Sequence, residues 1–136
     1  MSEENYKHSE ITEQIIKAFY NVYNTLGYGF LEKVYENAML IELRKVGLSA
    51  IAQQPIRVYY DSVEIGVYFA DILVENKVIL ELKTAEGIAS ENEAQLINYL
   101  RATDIEIGLV LNFGKKPQFK KKAFSNEFKD NKTAVE

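Results

Sequence analysis

The chain contains no cysteine and a single histidine, His8. The first absence excludes disulfides, thiolate zinc sites and cysteine nucleophiles, and leaves carboxylates as the main candidate ligands for any metal. It also fits a reducing compartment. His8 stands in a polar stretch with no ligand pattern around it and is read as inert. No run of about 18 apolar residues appears, and the opening MSEENYKHSE is polar. Neither a membrane span nor a secretory signal is therefore expected, and the expected location is cytoplasmic. Internal repeats, low-complexity tracts and Pro/Gly-rich linkers are missing too. Arginine is confined to Arg44, Arg57 and Arg101, so little is available of the planar, bidentate hydrogen bonding used in tight sequence readout.

What is present fits one soluble domain: 136 residues, 47% hydrophobic and 26% charged, enough for one core and too few for two. That domain is expected over residues 1–128, with 129–136 as a disordered tail. The net charge of -4 argues against wrapping nucleic acid by bulk electrostatics. Locally the balance reverses, because KKPQFKKK places Lys115, Lys116, Lys120, Lys121 and Lys122 within one short segment. Such a run is either a solvated polar tail or a phosphate-attracting patch.

Ser9 is a plausible N-cap for a helix carrying Ile11, Ile15, Phe19, Val22 and Leu26 at helical spacing, with Gly27 placed to end it. A second helix is expected from near Leu31 to Gly47, its apolar stripe formed by Leu31, Val34, Tyr35 and Ala38. Tyr35 reads as a packing residue, and Glu36 is expected on an exposed helix face. Gly27 and Gly29 lack the strand-to-helix context of a phosphate loop. The pattern then changes to AIAQQ and IRVYY, separated by Pro55, followed by VEIGVYFADILV and VILELK, all rich in β-branched and aromatic residues. Asp61-Ser62 and Glu75-Asn76-Lys77 read as turns of an antiparallel meander. Ser90 and Glu93 suggest a capping box opening a helix to about Arg101, and IGLVLNF reads as an interior strand.

The spacing Glu-x-Lys occurs at Glu75/Lys77, Glu81/Lys83 and Glu127/Lys129, but only Glu81 and Lys83 close an apolar strand. On a strand they share one face, while Leu80 and Leu82 share the other. The preceding strand carries a single charge, Asp71. A three-residue turn at 75–77 would pair Leu73 with Ile79 and Asp71 with Glu81, bringing two like charges together that a cation must offset. Lys83 supplies part of that charge, and a divalent ion such as magnesium suits two carboxylates on rigid strands. The bland alternative is a salt-bridged polar layer on an exposed sheet face. Paired carboxylates with a lysine also suit phosphodiester hydrolysis.

The set Asp71, then Glu81-Leu82-Lys83, resembles the PD-(D/E)XK nuclease superfamily. Upstream, GYGFLEKVYENAM holds Gly29, Glu32 and Tyr35 in the spacing that names the GxxExxY proteins, a branch assigned to that superfamily. The resemblance implies an α/β, restriction-endonuclease-like fold: a mixed β-sheet flanked by helices, with core order α-β-β-β-α-β and an extra N-terminal helix. It implies Asp71, Glu81, the backbone carbonyl of Leu82 and Glu32 as Mg2+ ligands, with Mn2+ able to substitute, and Lys83 as the catalytic lysine. Gln95 matches a supporting site residue. Tyr99 and the lysines at 115, 116, 120, 121 and 122 are candidates for touching substrate phosphate. The implied function is a magnesium-dependent nuclease on DNA or RNA. The rival is a non-catalytic module binding nucleic acid or protein, and the aromatic strands IRVYY and VYF leave a homodimer or protein partner open.

Overall fold

The computed structural model describes residues 7–129. Helix α1, Ser9–Leu26, buries Ile15, Phe19 and Val22 as its spacing predicts. It stops where Gly27 turns to φ 68 and donates its N–H to the Tyr23 carbonyl at 2.7 Å, a backbone conformation that favours glycine. Its N-cap is His8 rather than Ser9, because the His8 carbonyl already accepts the Thr12 N–H at 2.9 Å. Helix α2, Glu32–Lys45, buries Tyr35, Glu36, Met39, Leu40 and Leu43. The expected stripe is thus corrected: Leu31 precedes the helix and is 81% exposed, and Val34 is 39% exposed. The helix presents the neighbouring face to the sheet, so Glu36 is buried with it, contrary to expectation.

Strands β1 (Ala50–Tyr60), β2 (Val63–Val74) and β3 (Val78–Lys83) form the expected antiparallel meander. Asp61 and Ser62, at φ 48 and 65, make the tight turn between the first two. Pro55 does not divide β1, since the strand lies at the sheet edge, where a missing N–H donor is tolerated. Helix α3, Ser90–Arg101, then crosses over to β4, Ile107–Phe113, which runs parallel to β3 and is buried throughout. The lysine-rich segment is not a tail. It forms β5, Pro117–Ala123, antiparallel to β4 at the other edge of a five-stranded sheet ordered β1-β2-β3-β4-β5. Its lysines suit an edge strand that must not pair with another sheet, and Phe119 anchors it against Tyr20.

Two apolar layers sandwich the sheet. Helices α1 and α2 pack with Val78, Leu80, Leu82, Leu109 and Leu111 on one face, and α3 packs with Ile79 and Val110 on the other. The architecture is a mixed α/β sheet flanked by helices, in the expected core order with β5 added. Helix α3 starts one residue earlier than the proposed cap requires: Ala89 is the N-cap, and the Asn92 carboxamide accepts its N–H at 3.1 Å. Ser90 instead donates to Glu91, and Glu93 pairs with β5 lysines. Lys129, where the tail was expected to begin, donates to the Thr103 and Ile105 carbonyls at 2.7 and 2.8 Å. Residues 130–136 lie outside the described residues. No helix among the described residues is long and apolar enough to cross a membrane.

The exit of β3 is pinned by a side chain that patterning did not single out. Asn112, fully buried on β4, accepts the Ala85 N–H and donates to the Ala85 carbonyl, each at 2.9 Å. The approach is so close that a Cβ on Gly114 would sit 2.0 Å from the Ala85 oxygen. Replacing Asn112 with Ala removes both hydrogen bonds to Ala85, which is itself exposed, each worth about 0.5–1.5 kcal/mol net. Urea unfolding of Asn112→Ala should therefore show a loss of that order with an unchanged m-value.

Candidate active site where the central hairpin opens

The ladder between β2 and β3 pairs Val74 with Val78, Leu73 with Ile79 and Ile72 with Leu80, then ends. This is the expected register, and its next step would set Asp71 opposite Glu81. There the strands exchange side-chain bonds instead of backbone bonds. The Asp71 N–H donates to Glu81 Oε2 at 3.0 Å, and the Leu82 N–H donates to Asp71 Oδ2 at 2.7 Å. Each carboxylate thereby satisfies a backbone donor of the opposite strand, which would otherwise be left unpaired where the ladder ends. On the other side of β2, the β1 ladder skips the step at Gln53, which takes φ 56. The Gln53 carboxamide donates to Glu36 Oε1 at 2.7 Å and draws the Asp71 carboxyl down.

This arrangement gathers more negative charge than its cations offset. Glu81 is only 5% exposed, and burial, followed by the Asp71 charge, pushes its carboxyl up to about 8. Burial also raises Asp71, helped by Glu36 and opposed by the Leu82 N–H and by Lys83. Partial desolvation raises Glu32 against the pull of Lys83. Lys33 engages Glu36 at 2.6 Å, so that carboxylate has a partner of its own.

The donor set suits a hard divalent cation: carboxylate oxygens and a backbone carbonyl in a buried, under-compensated site. Glu32, Lys33, Glu36, Gln53, Asp71 and Leu82 line one cavity of about 180 Å³. Three of the four expected ligand residues, Glu32, Asp71 and Leu82, thus share a cavity, and Glu81 adjoins it through its bond to Asp71. Among the described residues, no group of three or more acidic or histidine side chains is arranged to hold a metal ion, and Asp71 and Glu81 each accept from a backbone donor.

Gly29, Glu32 and Tyr35 have a common structural logic. Gly29 sits at φ 110, which a side chain would strain. Tyr35 is fully buried, stacks on Phe113 at 4.3 Å, donates its hydroxyl to the Gly27 carbonyl at 2.7 Å and accepts the Phe30 N–H at 3.3 Å. Tyr35 thereby ties down the loop between α1 and α2 and fixes where α2 begins, which is the residue Glu32.

On the α3 side, Gln95 donates to the Tyr99 hydroxyl at 2.8 Å. Tyr99 is nearly buried, and desolvation, followed by the charges of Glu81 and Asp71, pushes its hydroxyl up to about 12. The lysines divide. Lys115 and Lys116 occupy the β4–β5 turn, at the end of the sheet where Lys83 pairs with Asn112. Lys120 and Lys122 reach Glu93 on α3 at 3.5 and 2.5 Å, and Lys121 lies between them on β5, half-buried. Sequence reasoning set Glu36 aside as an exposed helix residue, although its spacing one turn after Glu32 could join it to the site, and missed Gln53 and Asn112, which nothing local marks.

A carboxyl raised from 4.5 to about 8 in the folded protein makes the folded state bind more protons than the unfolded chain between those values. The stability from that group is therefore full below about pH 4.5 and lost as pH rises through about 8. Thermal unfolding in a chelator should show wild type losing stability over this window relative to Glu81→Gln, which keeps an acceptor for the Asp71 N–H without the charge. Parallel pH curves for the two proteins would contradict the burial-driven shift.

No curated protein matches the chain. The solved structure titled "Crystal structure of SSO0001" is similar at 16% identity with a TM-score of 0.47. The alignment covers 89% of this chain and 61% of that one, so this chain spans about three-fifths of that protein's length. Residues 9–123 match the family model described as the PD-(D/E)XK nuclease superfamily. With that match extending from α1 through β5, the chain belongs to the PD-(D/E)XK nuclease superfamily.

Proposed function

We propose that the chain is a magnesium-dependent nuclease of the GxxExxY type, hydrolysing phosphodiester bonds of DNA or RNA. The observation that carries this reading is the pairing of half-buried Asp71 with buried Glu81 at the opening of the hairpin, with Lys83 on the next same-face position of β3. Asp71, Glu81, Glu32 and the Leu82 carbonyl would hold Mg2+, or Mn2+ in its place. Such an ion, when bound, supplies positive charge that polarises a phosphoryl oxygen and acidifies water.

The chain's own groups do the rest. Lys83 offsets the negative charge that grows on the phosphate as water adds to phosphorus and the ester P–O bond breaks. Its ammonium opposes the upward shifts of the Glu32, Asp71 and Glu81 carboxyls. Gln95, bonded to Tyr99, supports the Glu81 side. Glu36 and Gln53 position Asp71 from behind. Lys115 and Lys116 suit phosphate contact by their place at the Lys83 end of the sheet, more than Lys120 and Lys122, which Glu93 offsets. The second reading is a non-catalytic binding module, favoured by the engagement of both carboxylates with backbone donors.

Calorimetry with Mg2+ and Mn2+ should detect binding in wild type that is lost in Glu81→Ala, with Glu81→Gln as a variant that keeps the backbone bond. Lys83→Ala should retain that binding and lose about 100-fold or more of cleavage on mixed DNA and RNA substrates. Wild-type protein with no Glu81-dependent binding at millimolar ion, and no cleavage, would select the accessory module.

A further inference from the structure

A groove of about 680 Å³ runs between α3 and the β1–β2 hairpin, within the range of about 300–1,000 Å³ found for small-ligand sites. One wall is a single face of α3, where Asn92, Gln95 and Asn98 recur three residues apart. The other wall carries Tyr68, which is 49% exposed. Tyr99 lies between them, its ring centroid 5.7 Å from that of Tyr68 at an interplanar angle of 46°. The groove reaches toward the candidate active site at Tyr99, which packs in one cluster with Ala70, the residue before Asp71, and Ile79, which shares a face of β3 with Glu81.

Its charge points to bases rather than phosphates as what the groove itself holds. Arg101 and Glu91 are the only charged lining residues, one of each sign. Phosphates of a duplex or of a single strand are held by a surplus of cations along the contact. This groove has none, and Lys120 and Lys122 on the far side of α3's first turn are offset by Glu93. What the groove offers is a half-exposed aromatic face and three carboxamides. The Asn92 oxygen is occupied by the Ala89 N–H and the Gln95 amide by the Tyr99 hydroxyl. The Asn92 amide, the Gln95 oxygen and both ends of Asn98 can still reach the edges of unpaired bases. Stacking and base-edge hydrogen bonding of this kind require bases that are not already paired with each other.

We propose that this groove binds the bases of a single-stranded nucleic acid, with Tyr68 as its stacking platform, and leads that strand to Asp71, Glu81 and Lys83. Only the delivery to those three residues rests on the nuclease reading; the binding itself does not.

The test is fluorescence anisotropy of the full chain in a chelator, so that binding is read without cleavage. The probes are short labelled DNA and RNA oligonucleotides, each single-stranded or annealed to its complement. Single strands should bind at least about tenfold tighter than duplex, Tyr68→Ala should weaken that binding about tenfold, and Tyr68→Phe should restore it. Equal affinity for duplex, an unchanged Tyr68→Ala, or no binding of either form overturns the proposal. Binding that depends on Tyr68 without cleavage in Mg2+ or Mn2+ upholds the groove and defeats the nuclease reading. Cleavage of duplex that ignores Tyr68 does the reverse.

Discussion

The reciprocal bonds between Asp71, Glu81 and the backbone of the opposite strand are the constraint around which the site is arranged. A β-hairpin that splays open leaves N–H groups facing a gap, and buried donors without partners are costly. Here the two acids fill that role at 3.0 and 2.7 Å. The strands can separate beyond Ile72 and Leu80 without orphaning the Asp71 and Leu82 donors. The same bonds hold like charges close together in a region of low exposure, which is electrostatically unfavourable for both.

Several distant features serve this junction. Asn112 fixes the chain just after Lys83, Tyr35 fixes the residue at which α2 begins, and Gln53, which draws the Asp71 carboxyl down, donates to a carboxylate on α2. None of these would be chosen for packing alone. Gln53 adopts a left-handed conformation that costs free energy for a residue with a side chain, and Glu36 buries a charge in a helix face that could have been apolar. Under the proposed reading, that cost is offset when a cation enters the cavity these groups line.

The charge distribution also separates two roles that composition had merged. A run of five lysines in eight positions invites a phosphate-binding reading, but a strand alternates its side chains between faces. Lys120 and Lys122 point together toward Glu93, while Phe119 packs against Tyr20 on the other face. Only the two lysines of the preceding turn remain at the Lys83 end of the sheet.

The meander and its register were legible because a three-residue turn and a strict two-residue period admit few alternatives. Strand β4 was legible because an unbroken apolar run must be interior. Asp71 stood out as the single charge toward the apolar half of β2, and Glu81 and Lys83 as charges closing β3; their neighbourhood follows from the same register. Tertiary packing decided the rest. The rotation of α2 about its axis buried Glu36 and exposed Val34, a choice of tens of degrees that a short amphipathic pattern leaves open. Pairing with β4 turned the lysine run into a strand. The contacts of Gln53 and Asn112 span 17 and 27 residues, a separation that no local pattern encodes. By itself the sequence determined which charged residues stand within the apolar strands and which strands bear them; the fold decided their burial, their partners and therefore their charge.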